Sequence, residues 1–345
     1  MKQIISVFGT RPEIIKMAPI IPLLDKEFSH SIIYTSQHYS KEMADQFFEE
    51  LGVRKPDVFL HVNSSEHSKL EEAILLEMKK SKAGYVIVYG DTNSTLAAAR
   101  AAKKCGKKII HLEAGLRSYD NEMPEENNRI ETDRLSEILF PPTELSKEQL
   151  AKEGITKNVF VVGNLVVDAC NLFAPRAPAE KGNYILLTAH RQENVDNSQK
   201  LSEIISALSG LGNVIFPVHP RTRKRLEEFG MKMPANVKLL EPVGYIRFLG
   251  LLKGAKLVIT DSGGVQEEAA TLHIPCLTIR AGNERWEAII AGSNFLVSTD
   301  PKQIQSYARA ILNSPLGERM RNAENPFGDG KTAQRIADIL KRMLR

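Results

Sequence analysis

Short runs of β-branched and aliphatic residues recur along nearly the whole chain, and almost every pair is separated by a stretch of helical, amphipathic pattern. The runs are IISVF (4–8), SIIYT (31–35), VFLHV (58–62), YVIVY (85–89), KIIHLE (108–113), EILF (137–140) and VFVVG (159–163). After a break come YILLTAH (184–190), VIFPVH (214–219), VKLLEP (237–242), KLVITD (256–261), PCLTIR (275–280) and NFLVS (294–298). Strands that alternate with helices and are apolar throughout must be buried on both faces. That restricts the chain to α/β architecture with parallel sheets. The break, LFAPRAPAEKGN, is rich in Pro, Ala and charge and reads as a linker at 172–183. The expectation is two doubly wound domains, 1–171 and 184–330, facing each other across a cleft, with ligands at the carboxyl ends of the strands. A final helix, 331–345, has the length to pack back on the first domain, which the sequence leaves open.

Length and composition narrow the function. At 345 residues the chain is long enough for two domains with separate cores. A net charge of +4 without a basic run gives nucleic-acid binding no support. The most apolar stretch, NVFVVGNLVVDACNLF, is interrupted by Asn164, Asp168 and Asn171, so no membrane span is expected. The apolar start before Gly9 is too short for a signal-peptide core. Cys105, Cys170 and Cys276 form no CxxC pair and read as reduced, buried thiols of a cytoplasmic protein. The histidines show no zinc-ligand spacing, so no metal site is expected.

LVITDSGGVQEEAA (257–270) carries the sharpest chemical signal. An apolar run ends at Asp261, and Ser262, Gly263 and Gly264 lead into a helical pattern beginning near Val265. Ser262 suits an N-cap, its hydroxyl accepting a first-turn N–H. Two glycines remove Cβ atoms where a ligand would approach the backbone. Free N–H groups at the positive end of a helix dipole suit a phosphate. Glu268, about one turn further on, is within reach of a ribose hydroxyl. An ordinary capped strand–helix turn is the competing reading.

Other polar residues gather at predicted strand ends. Arg11 and Lys16 follow the first strand around Pro12, as a phosphate-binding pair or a solvated surface pair. Gly90-Asp91-Thr92 follows the fourth, where Asp91 alone would read as a helix cap. His111 and Glu113 close the fifth, and PEENNR (124–129) then opens a helix bearing Glu125, Glu126 and Arg129. His190-Arg191 and His219 close two strands of the second domain. Collected at one edge, these carboxylates, histidines and cations suit a phosphorylated substrate.

FGTRPEIIKMAP, TSQH, GDTNST, HLEAGLRS, PEENNR, TDR, TAHRQEN, HPRTR, DSGGVQEEA, NERWEA and NPFGDGK run in order from residue 8 to 331. In them the chain resembles the non-hydrolysing UDP-N-acetylglucosamine 2-epimerases. The resemblance implies two Rossmann-like domains of GT-B type, shared with nucleotide-sugar glycosyltransferases, and a reaction needing neither NAD nor metal. It implies that Ser262, Gly263, Gly264 and Arg11 hold the diphosphate of UDP, Glu268 the ribose, and Phe248 the uracil. The sugar would lie near Lys16, Gln37, His38, Asp91, Glu113, Glu125, Arg129, His190 and Arg285. Arg191 and His219, with Gln37, match part of a contact set through which some relatives bind a second substrate molecule; Ser40 departs from that set.

The implied reaction is reversible C2 epimerisation of UDP-N-acetylglucosamine to UDP-N-acetylmannosamine, supplying amino-sugar polysaccharide or glycan synthesis. Asp91, Glu113, Glu125 and His190 are its catalytic candidates, and a homodimer is implied by the family alone. Ser36 stands where the family usually has Gly or Ala. Trp286 replaces a usual proline after Arg285 and reads as core packing, or else as a wall that reshapes the sugar pocket. The alternatives are an epimerase of a UDP-2,3-diacetamido sugar, a hydrolysing relative, a glycosyltransferase of the same fold and a nucleotide-binding module.

Overall fold

Residues 1–36, 41–60, 62, 67–120 and 123–344 are described by the structure, a computed structural model. Gln37 and His38 therefore lie outside the described residues. The first sheet holds β1 (Gln3–Phe8), β2 (Ser29–Tyr34), β3 (Val58–Phe59), β4 (Tyr85–Tyr89), β5 (Lys108–Leu112) and β6 (Ile138–Phe140). The second holds β7 (Ile185–Thr188), β8 (Val214–Pro217), β9 (Val237–Leu240), β10 (Leu257–Thr260), β11 (Cys276–Ile279) and β12 (Asn294–Val297). Their orders are β3-β2-β1-β4-β5-β6 and β12-β11-β10-β7-β8-β9, with every pairing parallel. Each is the doubly wound order, in which the winding reverses once: between β1 and β4, and between β7 and β10.

The chain divides into two units, Met1–Ala169 with Phe327–Arg345, and Cys170–Pro326. The first division falls inside the helix Leu165–Phe173. Within the second unit, the 172–183 stretch contains a short 3-10 turn, Ala174–Arg176. Lys253 Nζ fastens that turn by donating to the carbonyls of Ala174 and Ala177, at 2.9 and 2.8 Å. Within the first unit, the helix Thr332–Met343 has Asp168 at its start, which accepts the N–H groups of Thr332 and Ala333 at 3.1 and 2.8 Å.

One predicted strand does not form. Residues 159–163 make only an isolated bridge, Leu139 to Val159. The partner strand ends at Phe140, and Pro141 and Pro142 follow, which have no N–H to extend a ladder. Each core is aliphatic. In unit 1, Val7, Val86, Val88 and Ile109 meet the alanine-rich helix Asn93–Lys104, whose small buried face lets the helix His67–Lys80 approach closely. In unit 2, Leu187, Phe216, Ile259 and Leu277 pack against Leu201, Ile204, Ile304 and Ile311. No helix among the described residues is long and apolar enough to cross a membrane. Cys170 and Cys276 are buried as expected; Cys105, at a helix end, is only partly so.

Candidate active site

In unit 1 the predicted residues converge on the carboxyl edge of the sheet, around the β1–β4 reversal. Gly9 admits no side chain there: a Cβ would stand 1.9 Å from Thr35 Oγ1 and 2.4 Å from Ser94 Oγ. The tight turn delivers the helix Arg11–Met17. Glu13, buried behind it, accepts the N–H groups of Gly9 and Thr10 at 3.0 and 2.8 Å and the Thr92 hydroxyl at 3.1 Å. It thereby ties the turn after β1 to the turn after β4. Burial pushes the Glu13 carboxyl up to about 6 against the hydrogen bonds that lower it.

Lys16 is no solvated surface residue. It is buried, and its Nζ lies 2.6 Å from Glu113 Oε2 and above the Tyr89 ring. The same Glu113 oxygen accepts Tyr89 OH at 2.8 Å and Asn164 Nδ2 at 3.1 Å. Glu113 sits at φ +65°, a left-handed conformation uncommon outside glycine and typical of functional turns. A Cβ on Gly90 would stand 3.9 Å from Glu113 Oε1, so Asp91 and Glu113 occupy neighbouring turns. Arg11 lays its guanidinium 4.3 Å from the Phe47 ring centroid. Ser36 sits at φ +49°, a left-handed conformation uncommon outside glycine.

Asp91 does not cap the following helix. Thr92 does, accepting Thr95 N–H at 3.3 Å, because a cap must stand immediately before the first turn. Asp91 is paired instead with the buried Arg129, which also binds Glu126 at 2.6 Å. Glu125 is half-buried on the same helix, Pro124–Leu135. Glu126 is the buried one of the two. It accepts the N–H groups of Ser118 and Tyr119 as well as Arg129, and so shapes the loop before the helix. With Arg129 it forms an acid–base pair at i,i+3.

In unit 2 the corresponding reversal lies between β7 and β10. Asp261, fully buried, accepts the backbone N–H groups of His190 and Arg191, both at 2.9 Å, and faces His190 Nδ1 at 3.1 Å. Burial raises the Asp261 carboxyl, but His190 and these N–H groups together hold it below the ordinary carboxylate value. The His190 ring stays partly exposed, 5.6 Å from the ring of His219. His219 itself caps the helix Pro220–Glu228 through Nδ1.

Ser262 occupies the N-cap of the helix Gly263–Thr271, which starts two residues earlier than predicted. Its hydroxyl makes no cap bond, contrary to expectation; its N–H donates instead to Thr260 Oγ1 at 3.0 Å. First-turn N–H groups are therefore not taken by a side-chain cap, the condition an anion site needs. A Cβ on Gly264 would meet nothing within 4 Å, whereas one on Gly263 would stand 2.8 Å from Glu284 Oε1. Glu268 is buried further along this helix. Arg285 is paired with Glu267, and the Asn283 side chain grips the backbone of residue 285 from both sides. Phe248, on the helix Tyr245–Gly254, is half-buried against the apolar cluster that includes Val258 and Val265. Arg191 reaches Glu284 at 3.4 Å.

Trp286 is not core packing. It opens a short helix, Trp286–Ile290, whose buried face is supplied by Glu287 and Ala288, and its own side chain is 36% exposed.

A family model described as UDP-N-acetylglucosamine 2-epimerase matches residues 24–341. The chain is 44% identical to a UDP-N-acetylglucosamine 2-epimerase of Methanococcus maripaludis, over 99% of this chain and 98% of that one. It is 38% identical to a UDP-2,3-diacetamido-2,3-dideoxy-D-glucuronate 2-epimerase of Pseudomonas aeruginosa, over 99% and 100%. Among solved structures, it resembles the Methanocaldococcus jannaschii UDP-GlcNAc 2-epimerase in complex with UDP-GlcNAc and UDP. The TM-score is 0.88 at 42% identity, covering 99% of this chain and 100% of that one.

Proposed function

The chain belongs to the UDP-N-acetylglucosamine 2-epimerase family, and from that membership we propose that it interconverts UDP-N-acetylglucosamine and UDP-N-acetylmannosamine. One observation in this molecule carries the reading: two carboxylates on adjoining turns of unit 1, Asp91 and Glu113, each held by a buried cation, Arg129 and Lys16. Carboxylates fixed in this way are placed for proton transfer to and from carbon.

The hydrogen on C2 of the sugar is not adjacent to a carbonyl carbon, so direct removal is very hard. Breaking the C1–O bond to UDP builds positive charge at C1 and acidifies that hydrogen. A carboxylate takes the proton, the C–H electron pair becomes the C1–C2 double bond, and UDP and 2-acetamidoglucal result. Protonation of C2 from the opposite face and return of the UDP oxygen to C1 give the epimer. Asp91, Glu113 and Glu125 are the acid–base groups of this proposal. Donors that bind the departing diphosphate more tightly as its charge grows lower the barrier. The Gly263–Gly264 turn, Arg11 and His190 take that role, with Glu268 on the ribose and Phe248 on the base. Arg285 binds the sugar. The free thiols support a cytoplasmic setting, and a homodimer follows from the family and is tested by sedimentation.

The test is incubation with UDP-N-acetylglucosamine in D₂O, followed by NMR. UDP-N-acetylmannosamine carrying deuterium at C2 is expected. Free N-acetylmannosamine would mean a hydrolysing enzyme, and unchanged substrate would sink the reading. A second reading, a UDP-2,3-diacetamido sugar, is favoured by the exposed Trp286 beside Arg285 and by the Pseudomonas relative. Comparing turnover of the two sugars decides between them.

A further inference from the structure

His111 lies in β5, two residues before Glu113, and is fully buried. Its Nε2 is 2.8 Å from the carbonyl oxygen of Gly90, and its Nδ1 is 2.7 Å from Asp133 Oδ1. A carbonyl can only accept, so Nε2 donates to Gly90. Asp133 comes from the helix Pro124–Leu135, the helix that also supplies Arg129 and Asn128. Its other oxygen takes Arg117 Nη2 at 2.8 Å and Gly115 N–H at 3.2 Å, an arrangement for an ionised carboxylate. The ring is thus a rigid strut between that helix and the turn after β4.

The strut matters because of which peptide it holds. The Gly90 carbonyl belongs to the peptide unit immediately before the Cα of Asp91. The unit immediately after it carries the Asp91 carbonyl, which accepts from Asn128 Nδ2 at 2.9 Å. Gly90 itself is at φ +63°, without a side chain to limit its rotation. Pinning both flanking peptide planes sets φ and ψ of Asp91 and hence the direction of its Cα–Cβ bond. Arg129 then fixes the far end of the side chain.

We propose that His111 is a positioning residue for the reaction: by holding the Gly90 carbonyl it fixes the direction in which Asp91 presents its carboxylate. This rests on the reading of Asp91 as a proton-transfer group. It predicts that losing the Gly90 contact slows the C2 proton step without weakening nucleotide binding.

Two substitutions separate positioning from folding. In H111N the amide nitrogen takes the place of Nδ1, keeping Asp133 and losing Gly90. In H111Q it takes the place of Nε2, keeping Gly90. The measurements are the thermal midpoint, UDP affinity, kcat and KM, and the isotope effect with substrate deuterated at C2. H111N is expected to fold and bind UDP normally while kcat falls roughly ten- to hundredfold, the scale of a misplaced reacting group. Its C2 isotope effect should rise as proton transfer becomes limiting, and H111Q should recover much of the rate. Loss of folded protein alone lowers rate without changing the isotope effect. Asn128→Ala frees the other peptide plane without touching Asp133 and should raise the isotope effect too, which keeps the test decisive if H111N does not fold. Wild-type kcat with an unchanged isotope effect in folded H111N overturns the positioning role, as does an unchanged isotope effect in Asn128→Ala. Failure of the wild-type protein to exchange C2 hydrogen in D₂O overturns the functional reading instead.

Discussion

Lys16 Nζ stands 2.6 Å from Glu113 Oε2, on an oxygen that also receives Tyr89 OH and Asn164 Nδ2. Both side chains are nearly inaccessible to water, so neither charge has solvent to fall back on. Removing one partner of such a pair costs more than the pair itself contributes, about 3–5 kcal/mol, because the other charge is left buried. Lys16→Met should destabilise unit 1 on that scale. Adding Glu113→Gln should restore most of the stability, since a neutral amide replaces the stranded carboxylate. Turnover should not return with it. Urea unfolding and turnover of the two single variants and the double variant give the answer; a double variant as unstable as Lys16→Met would mean that Glu113 is held by something other than Lys16.

Glu13 links the turns after β1 and β4 while its carboxyl is pushed up, by burial, from 4.5 to about 6. With the folded value above the unfolded one, its contribution to stability is fully present below pH 4.5. It is lost as pH rises through 6, a loss of about 2 kcal/mol for a shift of this size. Glu13→Gln keeps one acceptor oxygen for the Gly9 and Thr10 N–H groups, and its amide can donate to the Thr92 and Thr95 hydroxyls, but it cannot ionise. Stability of wild type minus variant, followed by urea midpoints, should therefore fall between pH 4.5 and 6 and level off above. Parallel curves across that window would refute the assignment.

How far the sequence could be read depended on whether a feature was set by chemistry along the chain or by contacts across it. Parallel strands are buried on both faces, so β1, β4 and β10 announce themselves as unbroken apolar runs. VFVVG at 159–163 is as apolar yet makes only an isolated bridge, because Pro141 and Pro142 have no N–H to extend the ladder. Tertiary pairing overrides propensity there. Lys16 and Glu113 were legible as strand-end residues, yet their contact, across 97 positions, was not. Which of Glu125 and Glu126 is buried depends on the rotation of a helix about its axis, and PEENNR does not state it outright. Ser262 was legible as a cap position, but its hydroxyl makes no cap bond, which depends on the rotamer it takes in the folded turn.

Adjacent glycines in the Ser262 turn should behave differently. A Cβ at Gly264 meets no protein atom within 4 Å, so Gly264→Ala should leave the thermal midpoint near that of wild type. If a diphosphate approaches this backbone, the same methyl group should weaken UDP binding by about tenfold or more, as expected when close approach to a helix N-terminus is blocked. Gly263→Ala should also cost stability. Its Cβ stands 2.8 Å from Glu284 Oε1, whose carboxylate pairs with Arg280 at 2.5 Å and Arg191 at 3.4 Å. Calorimetry with UDP alone and thermal melts separate the effects. Wild-type UDP affinity in Gly264→Ala would move the phosphate site elsewhere.

Asp261 and His190 should act as a unit. Among the described residues, the partners of Asp261 are donors: the N–H groups of His190 and Arg191, His190 Nδ1 and Asn194 Nδ2. Asp261→Asn would turn an NH₂ group toward some of them, leaving buried donors unmatched at a cost of about 1–3 kcal/mol. The carboxyl is held below its ordinary value, so its stabilisation is present above pH 3.8 and lost as pH falls. The variant should accordingly lose most at neutral pH and little in acid. If Asp261 serves the reaction only by orienting His190, the effects on turnover will not add, since residues within one hydrogen-bonded network couple. His190→Ala and the double variant should then turn over equally slowly, while Asp261→Asn alone is intermediate. A double variant slower than His190→Ala by the full Asp261→Asn factor would show that Asp261 works through another group, with the N–H groups of the His190-Arg191 turn as the first to test.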